Sequence, residues 1–165
     1  MKMMWANIAI RKFFLLLFIL NNAYAQDRDK LELSASVAST SVSLSTGLRI
    51  SVRLKNAGSN GVYVYKDDCC IRVFASTISG KEINKEFIEE TMPPPPQRQS
   101  FLLLKPGHVL EKEITEPLSN LGVHDPGNYR IHVYYGSHFG RSTDTFGIPV
   151  WNGYLESSFT VTVAE

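Results

Sequence analysis

The feature that most constrains this chain is strict alternation between residues 48 and 55. Leu48, Ile50, Val52 and Leu54 fall on one side of an extended segment, and Arg49, Ser51, Arg53 and Lys55 on the other. Successive side chains of a strand point to opposite faces, so the segment is a half-buried strand lying on an apolar core. The same pattern returns in Ile71, Val73 and Ala75. It returns again in Tyr129, Ile131, Val133 and Tyr135, interleaved with Arg130, His132 and Tyr134. Phe159, Val161 and Val163 close the chain with Ser158, Thr160 and Thr162 facing out. Leu31 to Val37, Val62 to Tyr65, Phe101 to Leu104 and Val109 to Ile114 read as further strands. Turn chemistry separates them at Asn56 to Gly61, Ser79-Gly80-Lys81 and Pro106-Gly107, with a short edge expected at Glu82-Ile83.

Seven to eight short strands without a strong helical period predict an all-β antiparallel sandwich. One segment competes. In Lys81 to Glu90 the spacing of Ile83, Phe87 and Ile88 also suits one or two helical turns. Pro93 to Pro96 follow; they lack amide donors and favour polyproline II, so this stretch is expected as a stiff connector or edge guard.

The first 25 residues follow a different grammar. Lys2, Arg11 and Lys12 form a basic region, Phe13 to Leu20 an apolar run, and Ala23-Tyr24-Ala25 a small-residue cleavage pattern. These are the three parts of a secretory signal. The run is shorter than the roughly 20 residues of a spanning helix, and no cysteine follows it at a lipidation position. The expectation is a signal peptide at 1–25 and one domain at 26–165. The product would be periplasmic or secreted, with no stable membrane anchor after cleavage.

The 165-residue chain carries 17 Lys and Arg against 16 Asp and Glu. Lys2, Arg11 and Lys12 belong to the leader, which leaves 14 cations against 16 acids, a balance of −2. No basic block or stripe marks a nucleic-acid surface, and no basic amphipathic helix marks a lipid surface.

The cysteines, Cys69 and Cys70, are neighbours and cannot tie distant segments together. They leave three states: a vicinal disulfide, two thiols (one inward, one outward), or a bond to another chain. A redox or metal role for this pair lacks CxxC spacing.

Asp125-Pro126-Gly127-Asn128-Tyr129-Arg130-Ile131 resembles the D-x-G-x-Y-x-C signature of immunoglobulin-like domains. The resemblance implies an immunoglobulin-like β-sandwich in which Tyr129 forms the tyrosine corner at the start of the sixth strand, with Asp125 and Gly127 in the corner. Ile131 stands where that family places a disulfide cysteine. A second likeness is to exported bacterial modules of the same fold. It rests on Leu54-Lys55-Asn56, Leu104-Lys105-Pro106-Gly107 and Pro126-Gly127-Asn128-Tyr129. Some small sandwiches, such as the intracellular proteinase inhibitor and chagasin-like families, present loops to a protease cleft. No such inhibitory loop motif maps onto this chain.

Gly136 to Tyr154 is a long connection for strands that a hairpin usually joins with about two to five residues. It contains His138, Phe139, Arg141, Phe146, Trp151 and Tyr154, the aromatic and Arg types that anchor interfaces. The alternative is that Phe139, Phe146 and Trp151 fold back as a satellite core. His108, His124, His132 and His138 include no HxH or HExxH pair, so no metal and no cofactor are expected. No G-x-S-x-G is present, and Asp67-Asp68 and Glu89-Glu90 read as solvated surface acids. The expected function is an exported, non-catalytic binding or accessory module that presents loops to a protein partner. The alternatives are an inhibitor of an exported protease or hydrolase, and a redox or metal-handling protein. Oligomeric state is left open.

Overall fold

The computed structural model describes residues 30–66, 70–83, 97–136, 147–148 and 150–165. Nine strands lie among them: β1 (Leu31–Val37), β2 (Ser41–Ser43), β3 (Leu48–Asn56), β4 (Val62–Tyr65), β5 (Ile71–Thr77), β6 (Phe101–Leu104), β7 (Val109–Glu116), β8 (Gly127–Gly136) and β9 (Tyr154–Ala164). The alternating segment becomes the central strand of a β1-β3-β7 sheet. Its apolar residues are buried and its polar ones exposed, as a period of two on a one-sided sheet requires. Facing it is a second sheet, ordered β2-β9-β8-β5, while β4 and β6 form a short ribbon of their own.

The chain crosses between the sheets from β3 to β5, past the separate ribbon strand β4, and again from β7 to β8. That arrangement, with A, B and E against C, F and G, is the immunoglobulin-like sandwich. Leu48, Ile50 and Val52 of β3 meet Val73 and Ala75 of β5, Ile131 and Val133 of β8, and Val161 and Val163 of β9 in the main core. Ser157, on the inner side of β9, accepts a hydrogen bond from the Ala35 N–H of β1 at 3.0 Å and stitches the two sheets along one side. A second cluster, around Val64, Tyr65, Phe101, Leu104 and Tyr135, fills the end nearest β4 and β6.

Two elements have no clear signature in the sequence. Strand β2 pairs parallel to β9, matching Ser41 to Thr162 and Ser43 to Ala164; its few residues are stabilised by the edge they dock on. A 3-10 turn, Leu118–Leu121, drops both leucines into the main core and ends at Gly122, whose φ of 71° is left-handed. Where Lys81 to Glu90 offered a helical alternative, the described part is extended. Glu82 bridges antiparallel to Ser76, and Ile83 N–H donates to Ala75 O at 3.2 Å. Residues 84–96, with the prolines, lie outside the described residues.

The tyrosine corner forms as the resemblance implies. Tyr129, near the start of β8, donates from its hydroxyl to Asp125 O at 2.9 Å. Asp125 contributes its carbonyl, and a Cβ at Gly127 would meet the tyrosine ring at an ordinary 3.5 Å. The hydroxyl and that carbonyl therefore make the corner, while Gly127 opens the strand opposite Val163.

At the other end of the sandwich sits Asn56, fully buried at the end of β3. Its Nδ2 donates to Asn60 O at 2.7 Å and Leu104 O at 2.8 Å, and its Oδ1 accepts from Gly58 N–H at 2.9 Å. Its backbone N–H donates to His108 O at 3.0 Å, and its carbonyl accepts from Gly107 N–H at 2.8 Å. The motifs Leu54-Lys55-Asn56 and Leu104-Lys105-Pro106-Gly107, distant in sequence, thus meet at one side chain. Replacing Asn56 by alanine strands a buried carbonyl and removes a turn-closing acceptor, and is expected to cost about 3 kcal/mol. Tyr129→Phe removes one partly solvated bond and is expected to cost about 1 kcal/mol. Urea unfolding of both variants checks the order; a Tyr129→Phe loss as large as that of Asn56→Ala would contradict it.

Candidate binding face

The two outward faces of the sandwich are chemically unlike. On β1-β3-β7, Arg49 pairs with Glu113 at 2.6 Å and Arg53 with Glu111 at 2.9 Å, all well exposed. Exposed pairs of this kind contribute about 0–1 kcal/mol each and read as a solvated surface. On β5-β8-β9 a cluster of rings stands among polar outward positions such as Arg72, Arg130, Ser158 and Thr160. Tyr134 of β8 stacks on Tyr154 of β9 with centroids 5.0 Å apart and takes the edge of Phe74 of β5 at 5.4 Å. His132 lies nearly parallel to Tyr134, at 6.2 Å and 7°.

Strand register builds this row. Phe74 stands opposite His132, Arg72 opposite Tyr134, and Tyr134 opposite Glu156. Because β8 buries Ile131, Val133 and Tyr135, it must turn Arg130, His132 and Tyr134 outward. Tyr154 is 60% exposed and Phe74 37%.

His132 is held from both sides. Its Nε2 lies 3.0 Å from Ser76 Oγ and its Nδ1 2.8 Å from Glu156 Oε1. The connectivity is that of a nucleophile, base and orienting acid. Its evident structural effect is to fix the ring beside Tyr134. Next to this chain opens a hollow of about 350 Å³, lined by Phe74, Ser76, Glu82, Arg130, His132 and Tyr134 among others.

Burial pushes the Tyr134 phenol up to about 12, helped by the Glu156 carboxylate and the neighbouring Tyr154. Both effects disfavour the phenolate.

The residues singled out from the long connection separate. His138, Phe139, Arg141 and Phe146 lie outside the described residues. Trp151 packs partly buried against the second cluster, and its backbone N–H donates to Tyr63 O at 2.8 Å, beside a parallel bridge between Tyr63 and Val150. Its ring packs 5.8 Å from that of Tyr135. Gly153 permits this, since a Cβ there would sit 2.6 Å from the indole. Tyr154 alone of the described candidates joins the aromatic face, as the first residue of β9 rather than a loop residue. Cys70 is buried in the second cluster at the entry to β5, and Cys69 lies outside the described residues.

Phe74, His132, Tyr134 and Glu156 were not grouped by the sequence reading. The available signal was aromatic residues at the outward positions of strands whose inward positions were already apolar. Among the described residues, no group of three or more His, Cys, Asp or Glu could hold a metal ion, and no helix is long and apolar enough to cross a membrane.

No protein-family model matches the chain, and no curated protein matches it. Solved structures similar to it include the CARDB domain of the PF1109 protein from Pyrococcus furiosus, in complex with di-metal ions. It has a TM-score of 0.43 and 14% identity, covering 83% of this chain and 94% of that one. A β-glucosidase from Erythrobacter marinus aligns at TM-score 0.43 and 15% identity, covering 82% of this chain but 16% of its own. A mutant β-glucosidase from Listeria innocua in complex with laminaribiose aligns at 0.42 and 16%, covering 83% and 16%. At these scores nothing about ligand or activity passes to this chain.

The raised Tyr134 has a consequence at high pH. An unfolded tyrosine ionises near 10, whereas the folded one holds its proton to about 12. The stabilisation it provides is complete below pH about 10 and is lost as pH rises through the folded value of about 12. Urea midpoints should therefore fall across that window, and less steeply in Tyr134→Phe. Identical slopes for the two proteins would count against the buried, acid-flanked phenol.

Proposed function

We propose that this protein is an exported, non-catalytic binding module that engages a protein partner through the outward face of β5-β8-β9. The observation that carries this reading is the row Phe74, Tyr134 and Tyr154, laid over three adjacent strands with Phe74 and Tyr154 exposed and Tyr134 half-buried between them, where the opposite face carries paired charges. Rigid aromatic rings bring large contact area at little entropic loss, and Tyr and Arg are the residue types that dominate binding energy at interfaces. Arg72 and Arg130 flank the row on β5 and β8. Export rests on the leader pattern in residues 1–25.

The relay-like chain Ser76–His132–Glu156 raises hydrolysis as an alternative. Two features favour the binding reading over it. Ser76 is 3% exposed, near the end of β5, flanked by Arg130 on one side and Glu82 on the other. An acyl-transfer site also needs donors for the developing oxyanion, and the N–H of the next residue, Thr77, is engaged with Lys81 O at 2.9 Å. The chain better serves to hold an imidazole at fixed orientation on a contact surface.

The test is cross-linking of the native protein in its source, identification of the linked protein by mass spectrometry, and binding measurements with that protein purified. Cross-links should map to β5, β8 and β9, and Tyr154→Ala should weaken binding about tenfold or more with little change in unfolding midpoint. Cross-links confined to the Arg49 and Arg53 face, or full affinity in Tyr154→Ala, would overturn the proposal.

A further inference from the structure

The hollow beside the aromatic row has a charge pattern that specifies what it can accept. Ser76 of β5 pairs with Arg130 on one side and with Glu82 on the other. Cross-strand partners share a face, so Glu82, Ser76 and Arg130 form one outward row over three strands. Two strand spacings place the Cα atoms of Glu82 and Arg130 about 10 Å apart. Both line the hollow and both are exposed. Among the described residues neither makes an ion pair or a side-chain hydrogen bond. The other titratable groups on this face differ: His132 and Glu156 are bonded to each other, Arg72 stands opposite Tyr134 with a contact of its own, and the Tyr134 and Tyr154 phenols are both raised, that of Tyr134 to about 12. The apolar wall lies along the same strands, Phe74 one step from Ser76 on β5 and Tyr134 two steps from Arg130 on β8.

An occupant that complements this surface carries a cation for Glu82, an anion for Arg130 and an apolar body for the rings. Charges on alternate residues of an extended peptide lie about 7 Å apart, a separation that the two side chains can close by reaching inward. A ligand with charges of one sign would meet a like charge at one bank, and that juxtaposition selects against it.

Resting on the binding-face reading above, we infer that the hollow accepts a mixed-charge peptide segment of the partner. Its basic side chain pairs with Glu82, its acidic side chain with Arg130, and an apolar side chain lies against Phe74 and Tyr134.

The probes are three capped pentapeptides whose charged and apolar residues share one face of an extended chain, N-acetyl-Lys-Gly-Asp-Gly-Phe-amide, N-acetyl-Lys-Gly-Lys-Gly-Phe-amide and N-acetyl-Asp-Gly-Asp-Gly-Phe-amide, titrated at low salt into isotopically labelled full-length mature protein and followed by amide chemical shifts. The native protein is expected to bind the mixed-charge peptide about fivefold tighter than either single-sign peptide, with shifts at residues 74, 82, 130 and 134. Glu82→Lys should move the preference to the peptide with two Asp residues, and Arg130→Glu to the peptide with two Lys residues. Both sites are exposed, and the amide spectrum reports whether each variant is folded. The same order of preference in all three proteins would overturn the inference, as would no shift with any peptide. If that happens while Tyr154→Ala still abolishes partner binding, the face remains the interface and only the assigned ligand class falls. If Tyr154→Ala has no effect and the charge switch works, the hollow binds such peptides independently of the wider face.

Discussion

One buried amide holds together the end of the sandwich where the strands change sheets. Asn56 is sealed from solvent, and its side chain and backbone together make five hydrogen-bonding contacts, each to main chain. A buried polar group left unmet costs free energy, so a segment that depends on this one side chain has few alternative arrangements. The contacts join the end of β3 to the 57–61 turn, the last carbonyl of β6 and the 105–108 turn. They set where β4 and β6 leave the sandwich. The second cluster can then close over Val64, Phe101 and Leu104.

From there the constraint passes to β8. The Tyr135 hydroxyl accepts from Tyr65 N–H at 3.0 Å and donates to Tyr65 O at 3.2 Å, so an aromatic residue of the second cluster also satisfies the backbone of β4. Trp151 lies against the Tyr135 ring and donates its backbone N–H to Tyr63 O of β4. At the far end Tyr129 is tied to Asp125 O. A strand anchored by hydroxyls near both of its ends cannot slip by one residue without exposing Ile131 and Val133. Its outward residues, His132 and Tyr134, are thereby held in register with Phe74 and Glu156. The aromatic face is thus a consequence of core geometry, and the fold itself sets the order of its rings.

Much of the fold was legible because its signals are local. Period-two alternation is carried within a single strand, and β3, β5, β8 and β9 fall where it places them. The tyrosine corner is also local, spanning Asp125 to Tyr129. Strand β2 was not legible, since Ser41-Val42-Ser43 has little strand character and exists by docking on β9. The direction of Trp151 was hidden too. Only the finished fold shows that Tyr63 offers it a carbonyl and that Gly153 clears space for the indole. Treating Gly136 to Tyr154 as one long connection overlooked that β9 begins at Tyr154, directly opposite Gly136. The aromatic face failed to emerge for a related reason: Phe74, Tyr134 and Tyr154 belong to three strands, and only their register brings them together.

The same register explains why a histidine stands at the centre of this face. Between two aromatic strand positions, a residue that is flat and can be bonded from both edges fills the space without a mobile side chain. His132 does this, with Ser76 on one nitrogen and Glu156 on the other. Fixing it costs little rotamer entropy at the moment of binding, because the hydrogen bonds already hold the ring in the unbound protein. Glu156 in turn sits beside Tyr134 and raises its phenol further, while Arg72, Glu82 and Arg130 supply charges at the margin of the row. A neutral aromatic ridge beside two separated opposite charges favours selectivity over bulk adhesion: the ridge contributes contact area, and the charges decide which sequence can use it.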